Sequence, residues 1–316
     1  MVERSGHPRR RAVDGVLLLD KAQGSTSNAA LQAAKRLFQA RKAGHAGTLD
    51  PMATGLLPVL FGEATKLAFL LSEADKTYLA DVRLGTTTTT GDAEGAVIAV
   101  RPVHVSVAEI DDALRRFRGE IEQVPPMYSA LKRDGRPLYA YARAGEAVER
   151  AARRVRIEQL ERLGCTADTL RIRVRCSKGT YIRTLAEDIG TALGTGATLG
   201  ALQRVASGAW QLAQAISLER LEAMPEPERL ALLHPPEALL GDLPQITLEA
   251  GDETRFGHGQ ARPGAGRPPG LYGVFGASRH RLLGIGEVAA DGMLYPRRLL
   301  QVAESAQPAE KHRETL

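Results

Sequence analysis

The amino-acid sequence predicts an α/β (α+β) catalytic domain followed by a small β-rich domain. Residues 170–176 alternate apolar and polar side chains, as a strand with one buried face does. Residues 182–193 repeat their apolar positions every three or four residues, which is typical of an amphipathic helix. After about Leu240 the chain becomes dense in glycine and proline, so a different domain is predicted to begin there.

The first domain opens with an apolar strand, a helix and a loop. Residues 15–20 predict a short buried strand, and a helix follows with Thr26 or Ser27 as its N-cap. Residues 44–51 are punctuated by glycine and end before a proline, so they predict a loop. Residues 56–61 then predict a second buried strand.

The same patterns continue through the middle of the chain. A helix is predicted from near Glu63, and residues 77–84 alternate as a half-buried strand does. The five threonines at residues 86–90 indicate a loop. Residues 106–109 spell a capping box, which predicts a helix that runs to about Phe117.

The strand at residues 170–176 is predicted to carry a positive face. Its polar positions are Arg171, Arg173 and Arg175. Arg183 follows in the first turn of the next helix, where a cation is disfavoured by the helix dipole. We therefore expect Arg183 to have an anionic partner elsewhere in the fold.

Two short β-like runs, residues 271–275 and 282–288, indicate a small all-β module at the C-terminal end. The predicted organisation is a basic disordered N-terminus (1–12), a catalytic domain (13–240), a β-rich domain (241–306) and a disordered tail (307–316).

The amino-acid composition limits the classes of function that this protein can have. The net charge is +5, and residues 132–156 hold eight Lys or Arg against three acids, so the excess lies in one stretch. Clustered positive charge suits a phosphate backbone, although a solvated basic surface remains an alternative. No apolar run reaches the roughly 18 residues of a membrane span. Cys165 and Cys176 lack metal-ligand spacing, so we interpret them as reduced thiols of a cytoplasmic protein.

Asp50 stands in the predicted loop, where reactive groups often lie, but Asp-Pro is also a common turn dipeptide. Read alone, His45, Tyr78 and Arg183 are equally ordinary: a loop hydrogen-bonder, a core aromatic and a surface arginine. Local sequence leaves both interpretations open.

Four motifs favour the functional interpretation of these residues. They are GHAGTLDPMATGLLPVLFGEATK (44–66), KTY (76–78), VPPMYSALK (124–132) and CSKGTYIR (176–183). In order and spacing, this chain resembles the TruB-type tRNA pseudouridine synthases from residue 15 to about 205. GIGE (284–287) and PRRL (296–299) resemble the small PUA-type RNA-binding domain of these enzymes. The resemblance implies a mostly antiparallel mixed sheet with flanking helices, and a PUA-like C-terminal domain.

The resemblance also implies residue roles. Asp50 would be the catalytic carboxylate, and Arg183 would keep it ionised and oriented. Tyr78 would stack on the uracil and could act as a base. His45 would lie against displaced T-loop bases.

Further residues would line or support this pocket. Tyr181 and Leu202 match pocket-lining positions, and Lys21 matches a family lysine near the site. The proline that usually follows this lysine is Ala22 here, which puts the rigidity of the turn in doubt.

The implied reaction converts a uridine at position 55 of the tRNA T loop to pseudouridine. It breaks a glycosidic bond and forms a C–C bond without net redox change, so no cofactor or metal is expected. A carboxylate can act as nucleophile or base, and a guanidinium beside it lowers its pKa. The uridine must be flipped out of its stack. We expect tRNA, gripped at the T arm, as the partner of a monomer that needs no membrane or protein partner.

Two alternatives remain. An RNA-binding or RNA-folding protein without catalysis would be favoured if Asp50, Tyr78 or Arg183 were replaced, and all three are present. A glycosidase would need a second catalytic acid across the scissile bond, and no other carboxylate has a comparable setting.

Overall fold

The computed structural model describes residues 10–277 and 281–301, and the chain divides into two compact units, of which the second begins at Pro236. The disorder predicted for residues 307–316 lies outside the described residues, as does that for residues 1–9. Within the predicted N-terminal segment, Arg11 forms a β-bridge with Ala40.

The first unit mixes strands and helices along its length. Its strands are β1 (Gly15–Lys21), β2 (Ala43–His45), β3 (Thr54–Phe61), β4 (Lys76–Leu84), β5 (Thr86–Thr88), β6 (Val97–Val100), β7 (Gly119–Gln123), β8 (Lys132–Arg133), β9 (Arg136–Pro137), β10 (Arg153–Cys165), β11 (Thr169–Cys176), β12 (Ala197–Ser207), β13 (Trp210–Gln211) and β14 (Ile216–Ser217). Its helices are α1 (Ser27–Leu37), α2 (Ala68–Glu73), α3 (Val107–Arg116), α4 (Leu138–Arg143), α5 (Ile182–Ala192), α6 (Leu218–Ala223) and α7 (Glu226–Ala231).

Ten of these strands join in one sheet. Its main path runs β14-β1-β3-β12-β4-β11-β10-β7, with β2 on β3 and β13 on β12. The pairs are antiparallel except β1 with β14 and β3 with β12, so the predicted mostly antiparallel mixed sheet is confirmed. β3 and β12 share only two register pairs, Gln203 with Thr54 and Arg204 with Gly55. We call this short pairing the seam of the sheet.

The main core lies on one face of the sheet, under α1, α3 and α5. The apolar side chains of β11 are fully buried there, whereas its three arginines are exposed on the opposite face. The alternation predicted for residues 170–176 is therefore confirmed. Because α5 packs on β12, its first turn is placed at the same end of the core as the loop between β2 and β3.

Two predicted helix N-termini are confirmed by the structure, and a third differs. The hydroxyl of Thr26 accepts a hydrogen bond from the amide of Ala29 (3.0 Å) and caps α1. The capping box at residues 106–109 opens α3 as predicted. The helix predicted near Glu63 begins instead as the 3₁₀ turn Gly62–Leu67 and becomes α-helical only at α2.

One loop prediction missed a strand, and two long strands were not predicted at all. The threonine run at residues 86–90 was expected to be a loop, but its first three residues form β5, which pairs with β6. Thr88 is held there by a 2.9 Å hydrogen bond to Thr198 of β12. β10 and β12 were not predicted as strands, because charged and small residues break their apolar alternation and only the neighbouring strands reveal it.

Lys76, in the KTY motif, is a structural residue. Its buried ammonium donates to the carbonyls of Leu71 (3.0 Å), Ser72 (2.8 Å) and Ala74 (2.6 Å), which end α2. Lys76→Met would leave these carbonyls unpaired and is expected to lower the free energy of unfolding by about 2 kcal/mol. Urea denaturation would measure the loss.

The matched control is Lys178→Met. Lys178 is exposed and pairs with Glu73, which lies in α2. Removing this pair is expected to lower the free energy of unfolding by less than about 1 kcal/mol. Equal denaturation midpoints for the two variants would contradict the capping role of Lys76.

The second unit is β-rich, as predicted. Its strands are β15 (Gln245–Leu248), β16 (Arg262–Pro263), β17 (Gly270–Gly276), β18 (Arg281–Val288) and β19 (Met293–Leu299), and its described residues also include the 3₁₀ helix Pro236–Leu239 and one α-helix, α8 (Ala250–Gly257). The strands form a sheet in the order β15-β17-β18-β19-β16 around a small core of their own. In the described part of the chain, no helix has the length and apolar character needed to cross a bilayer.

Candidate active site

Asp50 lies in the loop that joins β2 to β3. Ser27 of α1 anchors this loop, because its hydroxyl accepts from the amide of Leu49 (2.8 Å) and donates to the carbonyl of Leu49 (3.0 Å). The side chain of Asp50 retains 38% of its surface exposed. The carboxylate is therefore held by a fixed backbone and can still be reached by a substrate.

Lys21, the last residue of β1, supports the same loop. Its ammonium, which is almost fully buried, donates to the carbonyls of Ala22 (3.0 Å), Ser25 (2.6 Å) and Pro51 (3.4 Å). It thus ties the turn after β1 to the residue that follows Asp50. The resemblance implies a proline at position 22, and in this chain the turn around Ala22 is held by these hydrogen bonds.

Arg183 has the anionic partner that its sequence position required. Its Nη2 lies 3.0 Å from Oδ2 of Asp50 and donates to the carbonyl of Tyr128 (2.7 Å). Its Nη1 donates to the carbonyl of Thr90 (3.2 Å). Only 5% of the side chain is exposed. The guanidinium is therefore locked in place and holds Asp50 in one orientation.

Asp92 is a second carboxylate at this site that the sequence did not reveal. Its Oδ2 lies 3.5 Å from Nη1 of Arg183, whereas Asp50 pairs with Nη2. Its Oδ1 accepts from the hydroxyl of Thr90 (2.5 Å) and from the amide of Glu94 (3.1 Å). The only signal in the sequence was the need of Arg183 for an anion, which Asp50 seemed to satisfy alone.

Two opposing effects act on the pKa of Asp50. The guanidinium of Arg183 lowers this pKa, as predicted from the sequence. Burial has the larger effect and raises the pKa of Asp50, and repulsion from Asp92 adds to that rise. The net shift is upward, so the carboxyl of Asp50 holds its proton more tightly than an exposed aspartate does.

Tyr78 and Leu202 lie on the adjacent strands β4 and β12. Tyr78 is partly buried against the core and is the cross-strand neighbour of Arg204. Burial raises the pKa of its phenol, and the charge of Asp50 contributes to that rise. Leu202 is buried two positions before Arg204.

His45 is half-buried on β2, and its Nδ1 has no hydrogen-bond partner among the described residues. Burial lowers the pKa of this imidazole, and the charge of Arg204 lowers it further. His45 is therefore neutral at physiological pH.

Tyr181 precedes α5, and a buried glutamine that sequence reasoning missed clamps its backbone. Gln123, at the end of β7, accepts from the amide of Tyr181 (3.0 Å) and donates to its carbonyl (3.3 Å). Burial raises the pKa of the Tyr181 phenol, and Asp50 again contributes to the rise. The structure thus gathers Asp50, Arg183, Tyr78 and Tyr181 at one end of the core.

The positive face of β11 does not belong to this site. Arg171, Arg173 and Arg175 point away from the core face that carries Asp50. Arg171 pairs with Asp81 (3.6 Å), and Arg175 is also ion-paired. An RNA bound over Asp50 would have to be gripped by other cations.

Comparison with known proteins identifies the family of this chain. Residues 35–182 match the model of the TruB family pseudouridylate synthase N-terminal domain. Residues 183–240 match the tRNA pseudouridylate synthase B C-terminal domain, and residues 244–300 match the C-terminal region of pseudouridine synthase II TruB. A tRNA pseudouridine synthase B of Aromatoleum aromaticum is 56% identical over 299 residues, which cover 95% of this chain and 96% of that protein. The chain belongs to the TruB family.

Other members and fold relatives agree. A tRNA pseudouridine synthase B of an Azoarcus species is 55% identical over 92% of this chain and 96% of its own length. Among solved structures, a chain in the crystal structure of a Cbf5-Nop10-Gar1 complex is 27% identical with a TM-score of 0.67, covering 87% of this chain and 78% of that one. The fold expected from the resemblance, a pseudouridine synthase domain, is confirmed.

In this TruB-family site, Asp92→Asn should reveal how far Asp92 positions Arg183. The amide keeps the contacts of Oδ1 but weakens the hold on the guanidinium. We expect the single-turnover rate to fall about 10- to 100-fold. Because Asp92 helps to raise the pKa of Asp50, its removal lowers that pKa, and the acidic limb of the pH–rate profile should move to lower pH.

Asp81→Asn is the matched control for Asp92, since it breaks an aspartate–arginine pair on the opposite sheet face. Its rate and pH profile should equal those of the parent protein. A parent-like profile for Asp92→Asn as well would argue against this role of Asp92.

Proposed function

We propose that this protein is a tRNA pseudouridine synthase that isomerises uridine 55 of the tRNA T loop to pseudouridine. The observation that carries the proposal is the Asp50–Arg183 ion pair, which holds a reachable carboxylate in one orientation within a chain of the TruB family. The relatives named tRNA pseudouridine synthase B support tRNA as the substrate.

Asp50 is the catalytic carboxylate in this proposal. It attacks the uracil, attacks the ribose, or removes a ribose proton, and each route needs an ionised, oriented carboxylate at the ribose–uracil junction. Arg183 provides the orientation, and burial provides basicity. The product has the same atoms and oxidation state as the substrate, so the reaction balances without a cofactor.

The target base must leave its stack to reach Asp50, at a cost of a few kcal/mol. In this proposal, Tyr78 stacks on the flipped uracil and receives or gives the final proton. Tyr181 and Leu202 line the pocket. A neutral His45 lies against the bases that the flip displaces, because a neutral imidazole stacks without requiring a counter-charge.

Cations for the T arm come from the segment that holds β8, β9 and α4. Arg136 lies 4.3 Å from the ring centre of Tyr141, and Arg143 lies 5.5 Å from that of Tyr139. Exposed arginines braced by aromatic rings suit contacts with phosphates and bases of RNA. The PUA-like second unit would add RNA contacts. We propose a cytoplasmic monomer that acts without a protein partner.

The test is incubation of the purified protein with an unmodified tRNA transcript and no added cofactor. Pseudouridine is then mapped by carbodiimide-blocked primer extension. A stop is expected at the T-loop uridine. A transcript with cytidine at that position is the control and should give no stop there.

The competing candidate is an RNA-binding or RNA-folding protein without catalysis. Tight tRNA binding with every uridine unchanged would overturn the proposed reaction in favour of that candidate. A stop at a different uridine would retain the reaction and refute the assignment to position 55.

A further inference from the structure

Arg204 is a buried arginine that neither the sequence motifs nor the proposed reaction uses. It lies on β12 at the seam of the sheet, and only 1% of the residue is exposed. Within the described residues, no carboxylate lies within ion-pair distance of its guanidinium. Burial of a charge without a counter-ion is costly, so a side chain in this position needs other partners.

Its partners are backbone carbonyls from the elements that build the active site. Nε donates to the carbonyl of Leu56 on β3 (2.7 Å), and Nη2 donates to the carbonyl of Gly47 (3.0 Å) in the loop that carries Asp50. A Cβ at position 47 would lie 3.0 Å from Nη1, and Gly47 has a φ of +75°. Glycine is therefore what allows this loop to rest on the guanidinium.

Arg204 also faces Tyr78, its cross-strand neighbour on β4. The guanidinium interacts with the phenol and lowers its pKa, which opposes the effect of burial. One side chain thus touches the Asp50 loop, β3 and the aromatic residue that would stack on the base.

We infer that Arg204 is a positioning residue for isomerisation, which holds the loop of Asp50 through Gly47 and orients the phenol of Tyr78 without touching RNA. This inference rests on the proposed function. Because Arg204 is buried beneath both groups, its effect is on the chemical step and not on the grip on tRNA. Arginine suits this position, because its planar fork donates to several acceptors at once, which a lysine ammonium cannot reproduce in the same geometry.

The test compares Arg204→Gln, which removes the charge, with Arg204→Lys, which keeps it. Single-turnover rates are measured with protein in saturating excess over a tRNA transcript, alongside filter binding and thermal unfolding. We expect rates about 10- to 100-fold below the parent for both variants, because small displacements of catalytic groups are costly. Binding should stay within about threefold, as expected for a group that acts only in the chemical step.

A pH profile separates positioning from simple packing. Loss of the charge in Arg204→Gln raises the pKa of Tyr78, so any limb of the profile due to the phenol should move to higher pH, whereas in Arg204→Lys it should move less. Arg118→Gln is the matched control. Arg118 also donates to a backbone carbonyl, that of Leu160, but away from the site, so rate and profile should stay unchanged.

A parent-like rate in either folded Arg204 variant would overturn the inference. So would parallel losses of rate, binding and thermal stability, which would give Arg204 a purely structural role. Failure of the proposed function has a different signature, because the parent protein itself would then leave every uridine unchanged.

Discussion

Asp50→Asn is expected to abolish pseudouridine formation while tRNA binding persists. The amide has nearly the same shape but cannot act as nucleophile or base at neutral pH. Loss of such a group lowers rates by at least about 10³-fold. Because the loop backbone is anchored by Ser27 and Lys21, the substitution should leave the fold intact.

Single-turnover mapping on the tRNA transcript measures this effect. Asp75→Asn is the control, since Asp75 pairs with Arg156 (3.6 Å) and Arg175 (3.9 Å) outside the site. Asp50→Glu tests geometry, because it retains the carboxylate but displaces it by one methylene, and we expect it to be nearly inactive. Measurable turnover by Asp50→Asn near the parent rate would show that another group performs the chemistry.

The second large effect is expected for Arg183→Met. Two carboxylates, Asp50 and Asp92, would then share a recess without the cation between them. Arg183 lowers the pKa of Asp50, so its removal raises that pKa further. The carboxyl is then protonated at a higher pH, and the acidic limb of the rate profile moves upward. We expect a loss of about 10²- to 10³-fold near neutral pH, from this protonation and from lost orientation.

Arg183→Lys is the conservative companion. It retains a positive charge and should restore the pH profile more than the rate, since an ammonium cannot contact Asp50, Asp92 and the two carbonyls together. The comparison uses single-turnover rates across a pH series. If Arg183→Met shifted the acidic limb to lower pH, or not at all, Arg183 would not control the ionisation of Asp50.

The sequence predicted those parts of the fold that depend on local pattern. The buried strand β1, the cap at Thr26, the capping box of α3 and the alternation of β11 are each specified within a few neighbouring residues. The 3₁₀ turn before α2 and the strands β10 and β12 are not, because they depend on contacts with distant elements.

The residues of the candidate site also fall into two groups, those with a local sequence signature and those without one. Asp50, Tyr78 and Arg183 were identified through motifs, and only the structure brings Asp50 and Arg183 to 3.0 Å. Asp92 and Arg204 carry no local signature, since their importance comes from what they touch: a guanidinium from α5 and a carbonyl from the loop after β2. The lowering of the pKa of Asp50 by Arg183 was predicted, whereas the larger and opposite effect of burial was not, because burial depends on contacts with distant elements.

The seam has a consequence for how the protein is made. The hydrogen bond from Arg204 to Gly47 joins positions 157 residues apart, and the bond to Leu56 spans 148. Contacts of such long sequence separation form late, after shorter-range structure. A chain still on the ribosome, with β12 not yet synthesised, has the Asp50 loop and its anchors Ser27 and Lys21 but lacks the hydrogen bond from Arg204 to Gly47. We therefore expect a chain truncated before β12 to form no pseudouridine, even though it already contains Asp50 and Arg183.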